Sequence, residues 1–208
     1  MIFFHFLPRI GIIVPFLRKI WINGGVFMKA TGIVRRIDEL GRVVIPKEIR
    51  RTLRIKEGDP LEIFTDRDEL MLKKYSPIAT LERFSKATAR SLNDLSGKIA
   101  LICDTDGVLH AYGEGKKDLD GKHLSSAMDK LLKERRSYVA SVSESGDILP
   151  LTTPEEEGIT AQIIVPIVSN GDCLGAVVIL SKEEGAKMDA SDMNLARLTA
   201  DILANQFE

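Results

Sequence analysis

The stretch MKATGIVRRIDELGRVVIPKEIRRTLRIK, residues Met28 to Lys56, decides the reading of the chain. Its apolar residues come in short alternating runs, as in half-buried strands. Yet the segment from Lys29 to Lys56 holds nine Lys or Arg against three acids, a net +6. Over Thr31–Ile37, Thr31, Ile33, Arg35 and Ile37 share one face, and Gly32, Val34 and Arg36 the other. Asp38–Gly41 predicts a turn, and Arg42–Ile45 a second short strand. Pro46 suits the first turn of a helix, where its missing N–H costs nothing, and the helix is predicted over Lys47–Leu53. On it, Lys47, Arg50, Arg51 and Arg54 recur at i, i+3, i+4 and i+7 as a basic face, with Ile49 and Leu53 turned to a core.

Beyond this helix, Gly58-Asp59 reads as a turn, and Leu61–Thr65 with Leu70–Lys74 as a hairpin. So small a unit buries little core alone and holds no disulfide or metal motif, so an obligate dimer is expected. Only Asp38, Glu39 and Glu48 lie within Lys29–Lys56 to pair with nine cations. The excess positive charge, doubled in a dimer, is the footprint of a phosphate-binding surface rather than of a solvated face laced with ion pairs. That segment contains no Asn or Gln, the side chains that read adenine in pairs of hydrogen bonds. Arginine reaches guanine instead, and DNA shape and deformability supply the remaining specificity.

The rest of the chain sets bounds. The sequence has 208 residues, 44% hydrophobic and 28% charged, the composition of an ordinary globular protein with room for one large or two small domains. A formal net charge of −1 conceals an asymmetry: residues 28–81 carry a net +3 and residues 82–208 a net −7. Cys103 and Cys173 are the only cysteines and form no CxxC, which suits a reducing compartment and excludes a disulfide framework. His5, His110 and His123 show no metal-ligand spacing.

Residues 1–27 contain three basic residues and no acid. Pro8, Arg9, Pro15 and Arg18 interrupt the apolar run before it reaches the ~20 residues of a membrane span, and no cleavage site of secretory type follows. Gly24-Gly25 can be encoded by a ribosome-binding sequence at the right distance from Met28. The expectation is therefore that Met28 is the start and that residues 1–27 are a mis-called leader outside the fold.

Tyr75–Ile78 marks a module boundary, giving modules at 28–77 and 78–208. In the second, Leu81, Phe84, Thr88, Leu92 and Leu95 predict an amphipathic helix from Ile78 to Leu95. Strands are expected at Gly97–Asp104, Val108–Tyr112, Ser137–Val142, Ala161–Val168 and Leu174–Ser181. A helix is expected around Leu124–Leu132 and another at Asp189–Phe207. The order implies an antiparallel α+β sheet flanked by helices. Cys103 reads as a buried inert thiol. Asp104-Thr105-Asp106-Gly107 reads as a plain turn, lacking the glutamate that a calcium loop carries at its twelfth position. The acid run Glu155, Glu156 and Glu157 reads as a solvated loop. No nucleophile or phosphate-binding loop accompanies these carboxylates, so no enzymatic role and no cofactor are assigned.

The run GIVRRIDELGRVVIPKEIRRTLRIKEGDPLEIF, above all GRVVIPKEIRRTL, resembles the AbrB-type swapped-hairpin DNA-binding domain, over about Met28–Tyr75. With the second module, the whole from Met28 on resembles AbrB-type sporulation regulators that end in a GAF-like domain. The resemblance implies a dimeric β-barrel made by two interleaved chains, followed by a GAF-like domain for oligomerisation and possible binding of a small-molecule effector. It implies that Arg35, Arg42, Arg50 and Arg51 contact DNA, with Lys29, Arg36, Lys47 and Arg54 on phosphates. One departure is the tight hairpin tip TDRDELML, where an extra Gly is expected. The expected function is a cytoplasmic, nucleoid-associated regulator of sporulation genes that binds AT-rich promoter DNA and no membrane. It would dimerise through the barrel and form a homotetramer by pairing the two long helices between chains. An antitoxin that regulates its own toxin–antitoxin pair is the alternative, since that class shares the barrel.

Overall fold

The computed structural model describes residues 19–21, 27–29, 32–67 and 69–207, the first two segments by their backbone only. The chain divides into two compact units, Met1–Thr52 and Leu53–Glu208.

In the first unit, β1 (Lys19–Trp21) and β2 (Phe27–Lys29) pair antiparallel, with Ile20 opposite Met28. The expectation that residues 1–27 are a leader falls mostly outside the described residues. The strands expected at 31–37 and 42–45 do not form: residues 32–38 and 42–46 run without strand pairing. The physical reason is visible in Val34, Ile37, Leu40, Val43 and Val44, all exposed, Val34 at 84%. A strand exists only against a neighbour, and the described residues offer these five none. Helix α1 (Lys47–Thr52) follows Pro46, whose carbonyl accepts from Arg50 N at 2.9 Å. It ends before Leu53, earlier than expected. Arg54 lies beyond it in the left-handed conformation, φ +52°, and therefore does not continue the helical face.

The second unit opens with the hairpin β3 (Leu61–Asp66) and β4 (Glu69–Lys74), registered with Asp66 opposite Glu69. Arg67 turns the tip at φ +50°, a conformation that glycine adopts with less strain. A short helix α2 (Pro77–Thr80) is capped by the Ser76 hydroxyl, and Leu81 separates it from α3 (Glu82–Ser96). The single helix expected from Ile78 is thus two. The elements β5 (Ile99–Asp104), β6 (Val108–Tyr112), β7 (His123–Leu124), α4 (Ser126–Glu134), β8 (Tyr138–Ser141), β9 (Thr152–Thr153), β10 (Ala161–Ser169), β11 (Asp172–Ser181) and α5 (Ala190–Ala204) complete the chain.

Five strands form one antiparallel sheet in the order β6-β5-β11-β10-β8. Its central strands read as continuous apolar runs because both faces are covered. On one face Leu101, Cys103, Ile164, Val178 and Leu180 pack with Met128, Leu131 and Leu132 of α4 and with Leu119, Leu124 and Leu151. On the other, Ala100, Ile102, Ile163, Val177 and Ile179 pack with Leu92 of α3 and Ala196, Ala200 and Leu203 of α5. Pro166 is accommodated because the β8 ladder ends at Ile164, so the rest of β10 is an edge on that side. The β10–β11 register shifts after Ile167, and Gly175 there lets β11 approach β5 closely: a Cβ would collide with the Cys103 carbonyl oxygen.

Candidate nucleic-acid interface

Asp38 organises the turn that presents Arg42. Its Oδ1 accepts from Leu40 N at 3.0 Å and Arg42 N at 2.8 Å, and its backbone N–H donates to Arg42 O at 3.1 Å. Gly41, at φ +76°, closes the loop by donating to Asp38 O at 2.9 Å. The Arg42 Nε donates to Asp38 Oδ2 at 2.7 Å. These bonds from Arg42, backbone and guanidinium, hold the Asp38 carboxyl below its ordinary value. Arg42 is thereby oriented by its own turn rather than left to wander.

The structure places the candidate arginines in three settings. Lys47, Arg50 and Arg51 lie at i, i+3 and i+4 of α1, all exposed. Arg35 and Arg36 are consecutive and exposed on the extended segment before the Asp38 turn. Arg54 is exposed past the end of α1, in the second compact unit. Lys29 closes β2, its side chain outside those described. Among the described residues, only Arg42 of these cations is engaged in an ion pair. Exposed guanidinium groups on a short helix beside a rigid turn suit phosphate oxygens and guanine edges.

In the second unit, Cys103 is buried, and burial pushes its thiol far above the ordinary range. Cys173 is half-buried, and burial raises its thiol too. Asp104 Oδ1 accepts from the N–H groups of Asp106 and Gly107, each at 2.8 Å, so the Asp104–Gly107 segment is the plain turn expected. His110 Nε2 lies 3.1 Å from Ser85 Oγ, and burial lowers its pKa. Among the described residues, no group of His, Cys, Asp or Glu is arranged to hold a metal, and no helix is long and apolar enough to cross a membrane.

One expectation is corrected. Glu156 is not solvated: its side chain is 6% exposed, lying between Lys122 Nζ at 3.1 Å and Lys182 Nζ. Burial works to raise its pKa, but the hydrogen bonds from Lys182 and Lys122 outweigh burial and hold it below the ordinary carboxylate value. Nothing local in the sequence marks this triad, since the lysines stand 26 and 34 residues from the glutamate.

The chain thus joins a basic N-terminal segment to an antiparallel α+β domain, the layout of a two-part binding protein. The family described as stage V sporulation protein T C-terminal, transcription factor, matches residues 80–208, and the family described as antidote-toxin recognition MazE, bacterial antitoxin, matches residues 34–80. Stage V sporulation protein T of Bacillus subtilis is 49% identical over 182 residues, 87% of this chain and 99% of that protein. The transition state regulatory protein AbrB of the same organism is 52% identical over 75 residues, 36% of this chain and 78% of that protein. A crystal structure of a methyl-accepting chemotaxis protein, residues 122 to 287, shares the fold at TM-score 0.52 and 17% identity, covering 62% of this chain and 92% of that one. The chain belongs to the stage V sporulation protein T family, whose N-terminal segment is related to AbrB. It is a transcription factor and not an enzyme.

Proposed function

We propose that the protein binds AT-rich promoter DNA of sporulation genes through a dimer of its N-terminal modules, in the cytoplasm on the nucleoid. Modules 28–77 and 78–208 divide the labour. Arg35, Arg42, Arg50 and Arg51 contact DNA, and Lys29, Arg36, Lys47 and Arg54 engage phosphates. The observation that carries this reading is the exposed Lys47, Arg50 and Arg51 face of α1, in a chain 49% identical to stage V sporulation protein T. Exposed Val34, Ile37, Leu40, Val43 and Val44 support dimerisation, because interleaving with a second chain gives them neighbours and closes a barrel.

The C-terminal domain joins dimers into a tetramer and senses a small molecule. Helices α3 and α5 pack side by side on one sheet face, yet Leu95 and Leu198 remain 71% and 58% exposed. Pairing these outer faces between chains makes a four-helix bundle. The antitoxin alternative has the match over residues 34–80 in its favour. Against it, residues 80–208 are a folded sheet domain rather than a short toxin-binding tail.

Fluorescence anisotropy with an AT-rich promoter duplex over a salt series tests the assignment. Binding should weaken steeply with salt. In Arg50→Ala/Arg51→Ala the slope should shrink by roughly 2–4 per dimer, because up to four cations that displace counterions from the DNA are lost, at about 0.9 each. A folded dimeric protein that ignores DNA at low salt would reject the proposal. Native mass spectrometry tests the tetramer, and a mass stopping at the dimer would remove it.

A further inference from the structure

Two lysines on the N-terminal side of residue 80 reach carboxylates beyond it. Lys56 Nζ donates to Asp129 Oδ2 at 2.6 Å, on the first turn of α4. Lys74, the last residue of β4, lies between Asp59 Oδ2 at 2.9 Å and Asp106 Oδ1. The Lys74 side chain is only 17% exposed. Burial opposes its charge, but its hydrogen bonds to Asp106 and Asp59 more than compensate, and its pKa sits above the ordinary lysine value.

Both acceptors belong to one hydrogen-bonded block. Asp106 sits in the β5–β6 turn, pinned by Asp104 Oδ1. Its carbonyl accepts from Leu124 N at 2.8 Å, and Gly107 bridges His123. Leu124 is buried in the layer between sheet and α4, and the next residue, Ser125, caps α4 by accepting from Met128 N at 3.0 Å. Turn, β7 and α4 therefore move together or not at all, and the lysines grip this block at two points.

We infer that Lys74 and Lys56 form a two-point clamp fixing the β3–β4 hairpin and the segment leading into it to the β5–β6 turn and α4, so that the arrangement of this block sets DNA affinity. The inference rests on the proposed DNA-binding role and adds its route of regulation. Any ligand of this domain acts through the clamp only if it favours one arrangement of that block over another. With the clamp closed the hairpin is already ordered; released, it must be ordered at the moment of binding, which weakens association.

The test uses the full chain with Asp106→Asn/Asp129→Asn, substitutions away from the basic helix, read by hydrogen exchange and by promoter anisotropy. Exchange in peptides spanning residues 59–75 should rise about tenfold while β10 and β11 keep their protection, and DNA affinity should fall about three- to tenfold. Lys74→Gln, acting from the hairpin side, should reproduce both changes. Unchanged exchange over 59–75 in both variants overturns the clamp. A released hairpin with unaltered DNA affinity overturns the coupling. If the wild-type chain binds no DNA while exchange still rises in the variants, the DNA-binding reading fails and takes the affinity half of this inference with it, leaving a purely structural clamp.

Discussion

Replacing Glu156 by Gln keeps its shape and removes its charge. In the native protein this carboxylate is almost wholly enclosed, and two half-buried ammonium groups, Lys122 and Lys182, converge on it. The substitution leaves those two like charges without the anion between them. Breaking a fully buried pair costs ~3–5 kcal/mol, but the lysines here are partly solvated, so about 2 kcal/mol is expected. In a chain of this size each kcal/mol moves the melting temperature by roughly 2–4 °C, giving a drop of about 4–8 °C near neutral pH. The assay is thermal unfolding of both proteins at one fixed concentration across a pH series. A carboxylate held below its unfolded value of 4.5 contributes stability above that pH and loses it as pH falls through the lower folded value. The gap between the wild-type protein and Glu156→Gln should therefore be widest near neutrality and close in acid, where the native carboxyl becomes as neutral as the amide. A gap that persists unchanged in acid, or none near neutrality, would refute the electrostatic account.

Two further outcomes follow from the sheet. Gly175→Ala should destabilise the C-terminal domain by at least ~3 kcal/mol, seen as a lowered denaturant midpoint or as insolubility, because the new methyl meets the Cys103 carbonyl across two central strands. Under native conditions an alkylating reagent should modify Cys173 slowly and Cys103 only on unfolding, as burial keeps both thiols protonated; native modification of Cys103 at the rate of a free thiol would contradict this packing.

The sheet domain was legible where its pattern was one-dimensional. The runs Ala161–Val168 and Leu174–Ser181 are apolar on both faces, and they became β10 and β11. The spacing of Met128, Leu131 and Leu132 became the inner side of α4, while Leu124, expected on the same helix, closes the short strand β7 before the Ser125 cap. What stayed hidden depends on the third dimension. Periodicity does not say that β11 lies between β5 and β10, nor that Glu156 folds inward to two lysines distant in sequence. The strands expected at 31–37 and 42–45 failed for a different reason: alternation identifies residues suited to a sheet, but not where a neighbouring strand is to come from. Arg54 fits helical spacing on paper, yet α1 stops two residues earlier. The net positive charge of Lys29–Lys56, by contrast, was legible in composition, although composition does not fix exposure, as Glu156 shows.

The apolar side chains left open along residues 34–44 bear on how the protein is made. Synthesis runs from the N-terminus, so this segment leaves the ribosome before any strand of the five-stranded sheet. In the proposed dimer a second copy covers this surface, so its burial follows bimolecular kinetics, while the sheet domain has both its apolar cores within one chain. In that dimer the part translated first is finished last, and its completion depends on how many nascent neighbours are at hand. Polysomes, which crowd such chains along one message, supply that local concentration.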